Sequence, residues 1–193
     1  MHTQPLEYFE AENFLTDFQS GFRPNNSTCT AFISAVNLWL TNMDAGKLNG
    51  SVFIDLKKAF DAVDHNILLC KLSCNGVNGN ALQLLKSYLI DRTQRPYVNG
   101  VLSTEQYVSC GIPQGSILGP FLFIIYVNDF PKCLQHTTPG MFADDTYISV
   151  AHEDISTIEC SLNSDLAAVH DRLQGNKLSC NTSKTSYMTI GSR

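Results

Sequence analysis

Met141-Phe-Ala-Asp-Asp-Thr-Tyr-Ile-Ser-Val150 sets two adjacent aspartates between two β-rich runs. The stretch predicts a hairpin over Gly140–Ala151 with Asp144 and Asp145 at its tip, where Asp suits a turn. A third acid stands in an equally unusual place. Ser51-Val-Phe-Ile-Asp-Leu56 reads as a buried strand that carries Asp55. Strands are depleted in Asp, and an unpaired buried charge is costly. Taken singly, the pair is well explained as a turn, and Asp55 as a cap for the helix beyond it. Taken together they suggest more. Carboxylates packed close repel, and one of them normally takes a proton. A divalent cation removes that penalty, and Mg²⁺ prefers a few carboxylates plus water and substrate phosphates. Two such ions about 4 Å apart clamp the attacking and leaving oxygens of a phosphoryl transfer. The residues by themselves therefore point to a metal-dependent phosphotransferase.

Outward from these segments the chain alternates strands and helices. Ser27 caps a predicted helix to about Asp44, with Phe32, Val36, Trp39, Leu40 and Met43 on its apolar side and Gly46 as its stop. Helices are predicted from about Asp64 to Cys74 and from Asn80 to Asp91, followed by a hairpin through Asn99-Gly100. A strand near Glu105–Val108 leads into a Gly/Pro-rich loop at 111–115, and Ser116 caps the apolar helix beyond. Ser156-x-x-Glu159 is a capping box for the helix carrying Leu162, Leu166, Val169 and Leu173. Lys177–Cys180 and Tyr187–Ile190 are predicted as a closing strand pair. The order implies an α+β fold, an antiparallel sheet with helices packed on one face.

At 193 residues the chain fits a single domain, and an apolar fraction of 44% is ordinary for a globular one. The longest apolar run, Ile117–Val127, is too short to span a bilayer, and the N-terminal stretch lacks an apolar signal core. Intracellular placement, in nucleus or cytoplasm and away from membranes, is the expectation. Seven scattered cysteines without a CxxC pair argue against a disulfide framework or a zinc site. Cys70 and Cys74 share a helix face and read as small core residues. The net charge of −5 runs against a free-standing nucleic-acid binder, because phosphate contacts supply most of such affinity. The chain has no GxSxG elbow, P-loop, GxGxxG or HExxH.

Five segments in order carry a resemblance: QSGFRPNNST at 19–28, VFIDLKKAFDAVDH at 52–65, GIPQGSILGP at 111–120, FADDT at 142–146 and NKLSCNTSKT at 176–185. They resemble successive motifs of the reverse-transcriptase domain of non-LTR (LINE-type) retrotransposons. The resemblance implies a polymerase right-hand palm with partial fingers and no thumb. Residues 1–50 would be partial fingers and 51–193 mainly palm, a single truncated domain. It implies RNA-directed DNA synthesis, with an RNA template, a DNA primer and dNTPs as partners. The cofactor would be two Mg²⁺ ions, with Mn²⁺ as a substitute.

By the same resemblance, Asp55, Asp144 and Asp145 are the metal-binding catalytic carboxylates. Phe60, five residues after Asp55, is the aromatic gate that leaves no room for a 2′-OH. Arg23 holds the incoming triphosphate, as a guanidinium fork can. Gln114 and Gly115 line the nucleotide and template pocket. Lys184 protonates the leaving pyrophosphate. Without the resemblance these positions read more plainly, as a core Phe, a surface Arg, a loop turn and a solvated Lys. The missing thumb and fingers would also explain the acidic charge, since basic duplex contacts lie mainly there. Arg172 departs from the pattern, which has tryptophan or another apolar residue at that place. Two other readings stand beside the polymerase: a catalytically silent retroelement remnant acting as a binding or structural module, and another palm-type enzyme such as a nucleotide cyclase.

Overall fold

The computed structural model describes residues 8–10 and 12–191. Ser27 caps helix α1 (Thr28–Asp44) through a capping box with Thr30. Then come strand β1 (Leu48–Ile54), helices α2 (His65–Cys74) and α3 (Gly79–Leu89), and the short strands β2 (Arg92–Gln94), β3 (Tyr97–Val98), β4 (Val101–Leu102) and β5 (Gln106–Val108). Helix α4 (Gly119–Tyr126), a 3₁₀ turn (Phe130–Cys133), strands β6 (Thr138–Phe142) and β7 (Asp145–His152), helix α5 (Ile155–Gly175) and strand β8 (Ser186–Ile190) complete the chain.

Four strands form one sheet in the order β6-β7-β1-β8, antiparallel throughout. Alternation along β1 decides what each face carries. An added Cβ at Gly50 would collide with Ile158 and Leu162, so the Gly50, Val52 and Ile54 side faces α5. The other side carries Asn49, Ser51 and Phe53, and α1 packs there. Trp39 stands edge-on to Phe53 and Tyr147. Trp39 also donates to Ser149 Oγ, which bonds Ser51 Oγ, while Asn49 donates to the Trp39 carbonyl. The buried polar groups of this seam thus satisfy one another, as burial requires. The next residue on the Phe53 side is Asp55.

Helix α4 is buried at Gly119 and from Phe121 to Tyr126, as a helix apolar on all sides should be. Tyr126 turns its one polar atom to use, donating to the Asn176 carbonyl and accepting from the Asp64 amide. Burial, followed by the nearby acids, pushes its phenol up to about 12. Asp165, buried on α5, accepts from the amides of Gln135, His136 and Thr137 and from the Thr137 hydroxyl. Burial pushes its pKa upward, but these bonds outweigh it and hold the carboxyl below its ordinary value. Arg172, set where an apolar residue was expected, pairs with Asp129 at 3.0 Å, and Lys71 reaches the other carboxylate oxygen at 2.7 Å. An ion pair replaces an apolar contact at that place.

The Asn99-Gly100 hairpin forms as predicted, with φ positive at both residues, as a two-residue primed turn demands. Four expectations are corrected. Phe32 and Leu40 do not face the core; α1 buries Ala35 and Trp39, and both others lie on its open side. Helix α5 is capped by Asp154, which accepts from the Thr157 amide, so the cap lies two residues before the Ser156 of the expected box. Residues 177–180 form no strand, because Lys177 takes a positive φ, Leu178 enters the core and Cys180 makes only a single bridge to Leu56. Cys70 and Cys74 are exposed rather than buried, on the outer face of α2 whose inner face carries Leu68 and Leu72.

Candidate active site

The sheet delivers its acids to one end. β1 stops at Ile54, paired with Thr146, so continuing the register sets Asp55 across from Asp145. Between β6 and β7 the turn holds only Ala143 and Asp144, since Phe142 pairs directly with Asp145. Ala143 takes φ +58, a left-handed conformation unusual for a residue with a Cβ. Asp55 is fixed by the segment 181–185. Asn181 donates its side-chain amide to Asp55 Oδ2 at 2.8 Å and its backbone N–H to the Asp55 carbonyl at 2.7 Å. The Asp55 amide in turn donates to Thr185 Oγ1.

Asp145 feels the two neighbouring acids. Burial, then the negative charge of Asp144, then that of Asp55, push the Asp145 carboxyl above its ordinary value. Uncompensated negative charge at a rigid sheet end is the condition a bound cation relieves. Among the described residues, no three His, Cys, Asp or Glu side chains are gathered so as to hold a metal ion by themselves. A divalent ion at this end would therefore have to take ligands from water and phosphate oxygens beside the carboxylates, the coordination Mg²⁺ favours.

A cavity of about 760 Å³ opens over this end, lined among others by Asp55, Phe60, Gln114, Asp144, Asn181 and Lys184. The Phe60 ring stacks on Phe123 with centroids 4.3 Å apart and meets Phe22 edge-on, so its plane is held against the helix behind it. The loop 111–115 is stitched to the segment that carries Phe60. Ile112 N–H donates to the Phe60 carbonyl, Gly111 N–H to that of Val63, and His65 Nε2 bonds the Gly111 carbonyl. A Cβ at Gly111 would press on the Asp61 backbone at 2.9 Å, and its φ of +87 suits glycine alone. Gln114 donates to Asp61 Oδ1, and Gly115 follows it on the exposed part of the loop. A second cavity of about 730 Å³ lies over the Phe53 side of the sheet, with Asp145, Tyr147 and Met188 in its wall. Asp55 and Lys184 border both cavities.

Arg23 stands apart from the other expected site residues. Its Nε pairs with Glu10 Oε1 at 3.0 Å and its Nη1 donates to the Thr16 carbonyl, and it borders neither cavity. Asn181 and Gln19 were missed in the sequence, although both lie inside quoted motifs. Gln19 is buried and bonds the hairpin tip at Ala143. Their charged neighbours Arg23 and Lys184 are conspicuous in sequence, whereas an amide in a polar run is not.

An antiparallel sheet covered by α5 on one face and α1 on the other, where the sequence suggested helices on one face only, carries acids on a strand end and a hairpin tip; this is the palm of a nucleic-acid polymerase. The chain matches the family described as reverse transcriptase (RNA-dependent DNA polymerase) over residues 2–192, and it belongs to that family. It is 36% identical over 148 residues to the probable RNA-directed DNA polymerase from transposon X-element of Drosophila melanogaster, covering 75% of this chain and 16% of that protein. It is 28% identical over 183 residues to the RNA-directed DNA polymerase from mobile element jockey of the same species, covering 91% of this chain and 20% of that protein. These relatives are polymerases of non-LTR retrotransposons. Among solved structures, telomerase from Candida albicans superposes with a TM-score of 0.70 at 15% identity, over 97% of this chain and 34% of that one, which is a likeness of fold. No helix among the described residues is long and apolar enough to cross a membrane.

Proposed function

We propose that this domain catalyses RNA-templated DNA synthesis, joining a dNTP to a primer 3′-OH with release of pyrophosphate. The observation that carries the reading is the register that brings Asp55 and the Asp144–Asp145 tip to one end of the sheet, beside a cavity walled by Phe60 and Gln114. Asp55 and Asp144 would hold two Mg²⁺ ions, or Mn²⁺ in their place, and Asp145 would complete the set. The ions would supply charge neutralisation at the phosphates. The chain's own residues do the rest by positioning. Phe60 would lie under the sugar and exclude a 2′-OH. Gln114 and Gly115 would border the nucleotide and template. Lys184, between the two cavities, would lend its proton to the leaving pyrophosphate. The cavity over Phe53, Tyr147 and Met188 would take the primer end. Residues 1–50 act as partial fingers and 51–193 mainly as palm in this reading. Arg23 reaches a triphosphate only by leaving Glu10, so a role there requires the bound state to break that ion pair.

The chain spans 16% to 20% of the length of the relatives named above. The test is single-nucleotide incorporation on an RNA template with Mg²⁺ or Mn²⁺, run beside Asp144→Ala. Slow, template-dependent incorporation of dNTP that Asp144→Ala abolishes supports the reading. Equal incorporation by both chains overturns it, and metal binding with GTP in place of dNTP favours a cyclase-type palm.

A further inference from the structure

We infer that Gln19 is a positioning residue, whose side-chain amide holds the Asp144–Asp145 hairpin tip in its working shape. The inference rests on the polymerase reading for what the tip does, but the clamp itself is a matter of geometry. Gln19 is 2% exposed. Its Oε1 accepts from the Ala143 N–H at 2.9 Å, and its Nε2 donates to the Ala143 carbonyl at 3.2 Å. One side chain thus satisfies both polar groups of a single peptide residue. The same Oε1 accepts from the Gly21 N–H at 2.8 Å, which fixes the rotamer of the clamp from its own segment.

The residue clamped is the one that needs support. Ala143 sits at φ +58 with no side chain able to bond its own backbone, as Asn or Asp does when it adopts that region. It is joined directly to Asp144, so rotation about Ala143 swings the Asp144 carboxylate. A two-residue turn offers no other internal partner for these groups, and the tip projects beyond the sheet ladder. The clamp also has a rigid base. Ser20 N–H donates to the Met141 carbonyl and Met141 N–H to the Phe18 carbonyl, so residues 18–20 run parallel to β6 and are tied to its edge by a single bridge. On the far side of the acid cluster, Asn181 holds Asp55 in the same manner. Two amides, Gln19 on the backbone before Asp144 and Asn181 on the Asp55 carboxylate, hold the two halves of the cluster without adding charge beside them. A carboxylate at position 19 would keep the acceptor, lose the donor and bury another negative charge next to Asp144.

The test uses the whole chain with three variants. Gln19→Met keeps the volume and removes the hydrogen bonds. Gln19→Glu keeps the acceptor alone. Asp165→Asn, on α5 and remote from the acids, is a control for general destabilisation. Three quantities are read: exchange of the Ala143 amide proton, Mn²⁺ affinity, and single-turnover dNTP incorporation resolved into kcat and KM. Gln19→Met is expected to speed Ala143 exchange about 10-fold or more while distant amides stay protected. It should weaken Mn²⁺ binding and lower kcat by up to about 100-fold, the scale for misplacing a reacting group by ~1 Å, with KM for dNTP nearly unchanged. Gln19→Glu should restore no more than part of the loss. The inference is overturned if Gln19→Met matches the parent chain in exchange and Mn²⁺ affinity. It is equally overturned if Asp165→Asn reproduces the same kcat loss. Absence of any incorporation by the parent chain would count against the polymerase reading alone, because exchange and metal affinity still judge the clamp.

Discussion

Gly21→Ala should damage the active site from outside it. A Cβ added at Gly21 would lie 2.1 Å from the Ala143 nitrogen and 2.9 Å from both Ala143 Cα and Phe142 C. Ordinary contact begins at 3.4 Å, so the closest pair falls about 1.3 Å short. All three opposing atoms are backbone, and no rotamer change relieves the overlap. The backbone at Gly21 lies outside the left-handed region, so the cost is contact and not conformational strain. Either the 18–21 segment, tied to β6 by one bridge, or the hairpin tip must retreat by about the shortfall. Overpacking of this kind costs roughly 1–3 kcal/mol. For a domain of this size that corresponds to a fall in Tm of roughly 2–12 °C, at about 2–4 °C per kcal/mol. The catalytic cost is larger in proportion, because a shift of ~1 Å at the reacting groups is worth on the order of 100-fold in rate. The assays are a thermal melt and single-turnover incorporation with protein in excess, which reads chemistry apart from duplex grip. A Gly21→Ala chain that melts within a degree of the parent and incorporates dNTP at the parental rate would refute the packing argument. A lowered Tm with an unchanged rate would show that the segment yields and the tip does not.

Phe60→Val should raise ribonucleotide incorporation relative to deoxynucleotide by about 10-fold or more, since removing the ring opens space for one extra hydroxyl; an unchanged ratio removes the gate role. The stability cost should stay below the ~3–5 kcal/mol of a fully buried Phe→Ala change, because the ring is only part-buried against Phe123. Asp165, Asp129 and Asp64 all titrate below their ordinary value: burial raises the first two but the Asp165 hydrogen bonds and the Lys71 and Arg172 contacts to Asp129 outweigh it, and Asp64 is lowered first by its bond from Lys177. Their stabilisation is complete above the unfolded carboxylate value of about 3.9 and is lost as pH falls through the lower folded values. Urea midpoints taken from pH 7 to about pH 2.5 should therefore hold level and then drop, and Asp165→Asn should both lower the plateau by ~1–3 kcal/mol and shallow the acid limb. An Asp165→Asn chain with the parental acid limb would remove Asp165 from the account.

How much of this site was open to reading from sequence depends on what kind of residue carries it. Asp55, Asp144 and Asp145 were legible because they break a local rule: a carboxylate in an apolar strand and a pair of them between β runs call for compensation. The hairpin at Asn99-Gly100 and the cap at Ser27 were legible because their causes lie within four residues. The failures share the opposite property. Asp154 displaced the Ser156 box by competing for the same helix start two residues earlier, and two good caps so close together cannot be ranked by pattern. Phe32 and Leu40 fit an apolar stripe on α1, yet Trp39 alone, locked to Ser149, fills the space the sheet offers. Gln19 reaches Ala143 across 124 positions and Asn181 reaches Asp55 across 126, and neither breaks any rule where it stands.

The same distinction bears on where loss of function should arise in this fold. Substituting a carboxylate removes a ligand and leaves a visible gap in a motif. Substituting Gln19 or Asn181 leaves every acid in place and releases it from its frame. Both amides are neutral, so the long-range field at the acids barely changes and only their geometry does. Reacting groups that must be held within about half an ångström are more sensitive to that than to modest changes in charge at a distance. A chain of this family with all three aspartates intact can therefore still be silent, and the first positions to inspect are 19, 21 and 181, ahead of the acids themselves.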